Sequence, residues 1–136
     1  MDLLSRIFLW FGRQAPEEFA RQLSHPTGLF GRATGVYLNR AAVEMKRTAM
    51  DSLDLRPDHR VLEVGFGGGA TLGALLKRVP DGVVAGVEIS ETMLHHARLR
   101  FRHEIAAGRM ELSAGRASKI PVDDATFDRA LSINTI

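Results

Sequence analysis

The sequence predicts an α/β fold with a parallel sheet, preceded by a helical extension. Three observations predict it. Residues 1–56 show helical patterns interrupted by Gly and Pro, residues 57–136 alternate short apolar runs with helical stretches, and a glycine-rich turn follows the first of these runs. The order strand, helix, strand, helix, strand is typical of a parallel sheet with right-handed crossovers. We therefore predict two parts, a helical extension over 1–56 and an α/β domain over 57–136.

The helical extension is predicted from apolar residues at helical spacing, most clearly from Tyr37 to Leu53, where Arg56-Pro57 then ends the pattern. The first eleven residues, MDLLSRIFLWF, are apolar but are interrupted by Asp2 and Arg6. A membrane-spanning helix needs about 20 apolar residues. We expect residues 1–11 to form a helix packed on the domain, with weak contact to a membrane surface as the alternative.

The α/β domain is predicted to contain four strands and two helices. Strands are predicted at short runs rich in apolar residues, and helices at the helical stretches between them. Ser90 is the expected N-cap of the second helix. The predicted strands are Val61–Val64, Val83–Ile89, Arg109–Ser113 and Asp128–Ile133, and the predicted helices are Ala70–Val79 and Glu91–Ile105.

Composition limits the classes of function. The 136 residues are 45% hydrophobic and 25% charged and include no cysteine, which excludes disulfides, thiolate metal sites and a cysteine nucleophile. Lack of cysteine also fits a reducing compartment, and we expect a cytoplasmic protein. Residues 1–60 carry nine basic and seven acidic side chains, and residues 61–136 carry nine of each. Neither part has the basic excess of a nucleic-acid-binding surface, so no nucleic-acid partner is expected.

The strongest functional feature is the run VLEVGFGGGA at residues 61–70, which lies at a predicted strand-to-helix turn. Glycines allow the backbone to approach a ligand closely, and the helix that follows offers N–H groups to a negatively charged ligand group. Glu88 lies at the carboxyl end of the next predicted strand, one residue before its last residue and 23 residues after Gly65. A carboxylate there can accept hydrogen bonds from both ribose hydroxyls. These features predict a nucleotide-like or carboxylate-bearing ligand.

Glu63 distinguishes between two classes of such ligand. The pattern Gly65-x-Gly67-x-x-Ala70 also satisfies the dinucleotide-binding fingerprint, so an NAD-dependent oxidoreductase is one interpretation. A dinucleotide would bring its pyrophosphate to this turn, where the Glu63 carboxylate would repel it. A ligand with an ammonium and a sulfonium group would be attracted instead. The alternative role for Glu63 is structural, as a residue that holds the turn.

Three segments together resemble a known family. They are VLEVGFGGG, GVEIS and IPVDDATFDRALSIN, and they resemble the first four motifs of class I S-adenosylmethionine-dependent methyltransferases, most closely the UbiE-like group with its methyltransferase type 11 domain. HPTGLFGRATGVYLNR is also similar to a segment that precedes the core in some bacterial members, so the resemblance covers about residues 24 to 136. It implies a Rossmann-like sheet, S-adenosyl-L-methionine as cofactor and a small-molecule methyl acceptor.

The resemblance also implies roles for individual residues at the methionyl end of the cofactor. Glu63 and the backbone of Gly65 and Gly67 would face this end, with Phe66 as part of the turn. Asn134, just past the fourth strand, would lie near the sulfonium and the acceptor entrance. The resemblance identifies no general base, so the catalytic residues stay unassigned.

At the adenosine end, the resemblance implies that Glu88 binds the ribose diol and that Ile89 lies against the adenine. Met93 is a further apolar neighbour of that ring, and Ala117 would offer its backbone to the adenine edge.

One position departs from the family, which commonly has Gly-Asp after the third strand where this chain has Gly115-Arg116. Arginine has only donors and cannot accept a hydrogen bond from the adenine amino group, although it can stack on the ring. We therefore expect Arg116 to weaken cofactor binding.

Other polar clusters have simpler interpretations. His95, His96 and His103 lie on one predicted helix, but the two that share a face are about two turns apart, so we expect no metal site. Asp123-Asp124 precedes the fourth strand and favours a turn. Tyr37 and Asn39 are weak candidates for closing over the site.

The position of the last residue, Ile136, leads to a further expectation. The family core has seven strands, and this chain stops after the fourth. The sequence therefore suggests a truncated cofactor-binding half, with an exposed fourth strand that can pair with another chain. The alternative to an active enzyme is an inactive fragment or a non-catalytic cofactor-binding module.

Overall fold

A computed structural model of the chain describes residues 42–133 and six helical positions nearer the N-terminus: 3, 6, 10, 13, 14 and 17. Two compact units are present, Met1–Met45 and Lys46–Ile136. Residues 42–51 are helical, in agreement with that part of the predicted Tyr37–Leu53 helix. Within the described part of the chain, no helix combines the length and the apolar character needed to cross a membrane.

The second unit is built on a parallel sheet of four strands. They are β1 (Arg60–Val64), β2 (Val83–Glu88), β3 (Met110–Ala114) and β4 (Arg129–Leu131). Their order across the sheet is β3-β2-β1-β4. The register pairs Glu63 of β1 with Gly86 of β2 and with Leu131 of β4. The chain moves outward from β1 to β3 and then returns to the other side of β1, so the sheet has a topological switch point between β1 and β4. The predicted α/β class with a Rossmann-like parallel sheet is confirmed.

Three helices connect the strands: α1 (Ala70–Arg78), α2 (Glu91–Arg100) and α3 (Arg102–Ala106). The predicted cap of α2 is confirmed, because the Ser90 hydroxyl accepts a hydrogen bond from the N–H of Met93 at 3.4 Å. The prediction of one continuous helix from Glu91 to Ile105 is wrong, since the helix is interrupted at Phe101, where φ is −103° and ψ is 23°. The Phe101 ring is buried and lies against Gly69 and Gly73 of the preceding crossover. The core position of this ring therefore coincides with the break in helical geometry.

Both faces of the sheet are buried. One face and the helices that cover it form the larger apolar cluster, which includes Met50, Val61, Phe66, Leu72, Leu75, Val79, Val84, Leu94, Ala97, Phe101, Met110 and Leu131. The other face contributes Leu62, Val64, Ala85 and Val87, with Val122 and Phe127 packed against them. Strands buried on both faces form nearly continuous apolar runs, and this is why β1 and β2 could be recognised in the sequence. β4 is shorter than the predicted Asp128–Ile133, because the ladder to β1 ends at Leu131.

Gly86 of β2 is predicted to be the glycine whose replacement disturbs the sheet beneath the turn. A Cβ added there would lie 2.6 Å from Cδ1 of Phe66 and 3.0 Å from Cδ2 of Leu112. Overpacking of this kind costs about 1–3 kcal/mol, so we expect Gly86→Ala to lower the free energy of unfolding by this amount in urea titrations. Gly73→Ala is the matched control, because its Cβ would meet Phe101 at an ordinary 3.7 Å inside a helix. Equal stability of the two variants would contradict the prediction.

Candidate functional site

The candidate site lies where β1 and β2 end, beside the switch point between β1 and β4. In open parallel sheets, ligands bind in the crevice outside the carboxyl ends of the strands at such a point. The structure brings the glycine-rich turn after β1 and the last residue of β2 together here. The N–H of Gly67 donates a 2.8 Å hydrogen bond to Oε2 of Glu88. Two motifs that the sequence separates by about twenty residues therefore form one surface.

The glycine turn needs its glycines for conformational reasons. Gly65, Gly67 and Gly69 have φ values of 74°, 52° and 79°, in the left-handed region that disfavours side chains. No atom lies within 4 Å of a Cβ built on Gly67 or Gly68, so among the described residues this part of the turn faces open space. Helix α1 has Gly69 as its N-cap residue, so it lacks a hydrogen bond from a capping side chain, and its first turn has no acidic residue. The turn can therefore receive a ligand at close range.

Phe66 serves the turn through its packing. Its side chain is 5% exposed and belongs to the larger apolar cluster, with its ring over Gly86. The N–H of Gly65 donates to the Val87 carbonyl at 2.7 Å, and the N–H of Gly69 donates to the Phe66 carbonyl at 3.0 Å. Phe66 therefore anchors the turn to β2, and its buried ring packs in the core.

Glu88 is 7% exposed and is held by two backbone donors. Its Oε2 accepts from Gly67, and its Oε1 accepts from the N–H of Ser90 at 3.0 Å. An ionised carboxylate has about four acceptor positions, so two remain for a ligand. Because the backbone bonds fix both oxygens, the carboxylate is oriented before any ligand arrives.

Glu63 is the most deeply buried acidic side chain of the described residues, at 3% exposed. Its Oε2 has no hydrogen-bond partner among these residues. Burial raises the pKa of Glu63 from 4.5 to about 7, attraction to Lys46 opposes this rise, and repulsion from Glu88 adds to it. A buried polar atom without a partner is costly and is therefore rare in folded proteins, so it indicates a missing ligand group or a special role.

Two apolar side chains beside Glu88 are exposed. Ile89, directly after β2, is 61% exposed, and Met93, in the first turn of α2, is 39% exposed. A single exposed apolar residue needs no explanation, but these two flank a carboxylate held at the end of a strand. They are suited to contact an apolar ring.

The segment after β3 joins the same edge of the sheet. The N–H of Gly115 donates to the Glu88 carbonyl at 3.1 Å, which continues the pairing of β2 and β3. A Cβ on Gly115 would lie 2.7 Å from Cδ of Pro121 and 2.9 Å from Cγ1 of Val87, so only glycine fits. Arg116 and Ala117 follow in an exposed turn, in which the Lys119 N–H donates to the Arg116 carbonyl at 3.0 Å.

Three predicted residues, Tyr37, Asn39 and Asn134, lie outside the described residues. Two described residues near the site were missed by the sequence analysis. Ser132 donates its hydroxyl to the Val64 carbonyl at 3.0 Å, which joins the end of β4 to the end of β1. Lys46, in the helix that ends at residue 51, acts on the charge of Glu63. Lys46 lies in no sequence motif, and Ser132 lies in the segment IPVDDATFDRALSIN without an expected role there. Each reaches the site through long-range packing.

Comparison with known proteins places the sheet and its glycine turn in one family. Residues 61–136, more than half of the chain, match the family model described as Methyltransferase domain. A 24-methylenesterol C-methyltransferase 2 from Oryza sativa subsp. japonica is 32% identical over 132 residues, which are 97% of this chain and 33% of that protein. A demethylmenaquinone methyltransferase from Symbiobacterium thermophilum is 39% identical over 74 residues, which are 54% of this chain and 30% of that protein.

A solved structure agrees with the sequence matches. The crystal structure of a SAM-dependent methyltransferase from Geobacter sulfurreducens in complex with S-adenosyl-L-homocysteine covers 67% of this chain and 36% of that one, at 27% identity and a TM-score of 0.53. The chain spans about a third of the length of these three proteins. The family match, the sheet order and the glycine turn together show that the chain belongs to the class I S-adenosylmethionine-dependent methyltransferases.

Proposed function

We propose that this chain binds S-adenosyl-L-methionine at the carboxyl ends of β1 and β2 and forms the cofactor-binding half of an enzyme that methylates a small-molecule acceptor. Family membership supports the cofactor. The observation that carries the proposal is the buried Glu63 carboxyl, whose Oε2 is without a partner among the described residues and which lies in β1, two residues before the glycine turn.

The polar groups of Glu63 and the glycine turn fit the methionyl end of this cofactor. An ammonium group has three donors and no acceptor, so it can satisfy Oε2 of Glu63. The cofactor's sulfonium adds a second positive charge, which the same carboxylate favours. The open space over Gly67 and Gly68 gives the aminoacyl group access to the backbone of the turn. A pyrophosphate at the same position would be repelled by an ionised Glu63 carboxylate, and this argues against NAD.

The residues after β2 fit the adenosine end. Glu88 presents acceptor positions to the two ribose hydroxyls while the Gly67 and Ser90 N–H groups hold it in place. Ile89 and Met93 offer exposed apolar surface to the adenine ring. Burying such surface contributes about 25 cal/mol per Å². The two ends of the cofactor would therefore be recognised by the two halves of one continuous surface.

When bound, S-adenosyl-L-methionine supplies a methyl group that its sulfonium already activates toward displacement. The residues of this chain would then position the cofactor, because the rate of such a methyl transfer depends mainly on the alignment of donor and acceptor and on the exclusion of water. Glu63 and the glycine turn would hold the methionyl end, and Glu88 would hold the ribose. Asn134, outside the described residues, is proposed to lie near the acceptor entrance.

The small-molecule acceptor and the UbiE-like subtype are supported by the relatives. Their names specify a methylenesterol and a demethylmenaquinone as acceptors. Because the chain spans about a third of those proteins, the acceptor-binding residues are not assigned to it. The alternative function, a cofactor-binding module without transferase activity, has the same cofactor surface and differs only in acceptor methylation.

A thermal melt distinguishes the cofactor classes. We expect S-adenosyl-L-homocysteine to raise the melting temperature and NAD to leave it unchanged, since ligand at 100 times its dissociation constant stabilises a folded protein by about 2.7 kcal/mol. A shift with NAD alone would overturn the proposal. S-adenosyl-L-homocysteine could raise the melting temperature while no labelled methyl passes from S-adenosyl-L-methionine to quinone or sterol acceptors. This pair of results would favour the non-catalytic module.

Arg116 is predicted to weaken adenine recognition. Its side chain is exposed and offers no acceptor to the adenine amino group. We expect Arg116→Asp to tighten S-adenosyl-L-homocysteine binding by about tenfold, the equivalent of one added hydrogen bond of about 1–2 kcal/mol. Calorimetric titration measures this change, with Arg116→Ala as the control for loss of the guanidinium. An unchanged or weaker affinity in the Asp variant would contradict the prediction.

A further inference from the structure

Glu63 is a buried carboxyl group at the base of the site, between β2 and β4. Its register partners are Gly86, which has no side chain, and Leu131, which is apolar. Neither can compensate a negative charge. The side chain is 3% exposed, and its Oε2 has no partner among the described residues. The geometry therefore provides poor solvation for an ionised carboxylate as long as the site holds no cation.

The charged groups around Glu63 act in opposite directions. The Lys46 ammonium favours the ionised form, and the Glu88 carboxylate disfavours it. On β4, the Arg129 guanidinium is directed elsewhere, with Nε donating to the Leu53 carbonyl at 2.7 Å and Nη1 to the Asp128 carbonyl at 2.9 Å. Desolvation is the largest effect, and the pKa of Glu63 is raised to about 7. Below neutral pH, the protonated acid is therefore the main form in the ligand-free protein.

We infer that Glu63 carries a proton in the ligand-free site and releases it when the ammonium of an aminoacyl group binds, so that cofactor uptake is coupled to pH. This inference rests on the proposed function, because the cation is the methionyl end of the cofactor. In the step, the O–H bond of Glu63 breaks, its electron pair stays on the carboxylate, and the proton passes to water or buffer. The ammonium then pairs with the carboxylate.

The coupling predicts a specific dependence of affinity on pH. Below the pKa of Glu63, each binding event must remove a proton, so the dissociation constant rises as pH falls. Between pH 7 and pH 5.5, we expect binding of S-adenosyl-L-homocysteine to weaken by roughly 15-fold, calculated from a single group with a pKa of about 7. The ligand's own α-amino group stays protonated throughout this range, since such groups titrate near 8.

Titration calorimetry measures the released proton directly. At pH 6, binding of S-adenosyl-L-homocysteine in two buffers with different ionisation enthalpies is expected to release close to one proton. Adenosine is the matched control ligand, because it has the ribose and the adenine but no aminoacyl group, and it is expected to release none. This comparison uses the unaltered protein and needs no variant to fold.

Glu63→Gln tests the assignment to this residue. The glutamine variant is expected to bind S-adenosyl-L-homocysteine with little dependence on pH between 5.5 and 7 and without proton release. In the ligand-free protein, infrared difference spectra between pH 5.5 and pH 8 are expected to show a protonated carboxyl band that the variant lacks. Binding without proton release, or an unchanged pH dependence in the variant, overturns the coupling and leaves the proposed cofactor in place. Absence of binding at every pH overturns the proposed function and the coupling with it.

Discussion

Replacing Glu88 with glutamine is expected to weaken S-adenosyl-L-homocysteine binding by about 100-fold. The glutamine amide has one acceptor oxygen, so its NH₂ group must face the N–H of either Gly67 or Ser90, which are both donors. The variant would lose the proposed charge-assisted bonds to the ribose and also the fixed orientation of the turn. Bonds to charged groups contribute about 1.5–3 kcal/mol each, and a loss of about 3 kcal/mol corresponds to this change in affinity.

Calorimetric titration provides the measurement, and Glu111→Gln provides the control. Glu111 is an exposed carboxylate on β3, paired with Arg60 at 3.3 Å. Its replacement changes the net charge equally without touching the site. We expect the control to bind as the unaltered protein does. If both variants lose affinity to the same extent, net charge explains the result and the role assigned to Glu88 is wrong.

Replacing Glu63 with glutamine is expected to change how the stability of the protein depends on pH. The pKa of Glu63 is raised from 4.5 to about 7 by folding, so its stabilising contribution is complete below pH 4.5 and is lost as pH rises through 7. The unaltered protein therefore becomes less stable over this range in a way that the glutamine variant does not. The difference in free energy of unfolding between them is expected to shift by about 2–3 kcal/mol in favour of the variant from pH 5 to pH 8.

Urea titrations of both proteins at pH 5, 6, 7 and 8, without ligand, provide the measurement. Comparing slopes against pH removes the constant cost of burying an amide in place of a carboxyl group. Glu111→Gln again serves as the exposed control and is expected to follow the unaltered protein. Parallel curves for Glu63→Gln and the unaltered protein would show that Glu63 ionises in the folded state as it does in the unfolded chain.

Local sequence patterns correctly predicted the structural elements that depend only on residues close in sequence. The Ser90 cap, the strands β1 and β2 and the glycine turn are all present at or within one residue of the predicted positions. Caps, apolar runs and glycines with positive φ depend on neighbouring residues, which are visible in the sequence. The break at Phe101 is different, because a continuous helical pattern gave no sign that this ring would be buried against the first crossover.

Long-range packing decided how the site is assembled. The motifs predicted that Glu88 would lie near the turn, but the bond from Gly67 that orients its carboxylate appears only when β1 and β2 pair. In the same way, Ser132 joins β4 to Val64 across 68 positions of sequence. Such contacts depend on the register of parallel strands, which a single sequence does not specify when both faces are apolar.

Glu63 shows which properties of the site follow from the sequence and which follow from the tertiary structure. The sequence by itself determined the α/β class, the glycine turn at the end of β1 and the presence of two carboxylates beside it, because each follows from local composition and spacing. Only the tertiary structure decided that one carboxylate is held by backbone donors while Oε2 of the other is buried without a hydrogen-bond partner among the described residues. Desolvation depends on everything packed around a group, so the charge state of Glu63 is a property of the folded sheet.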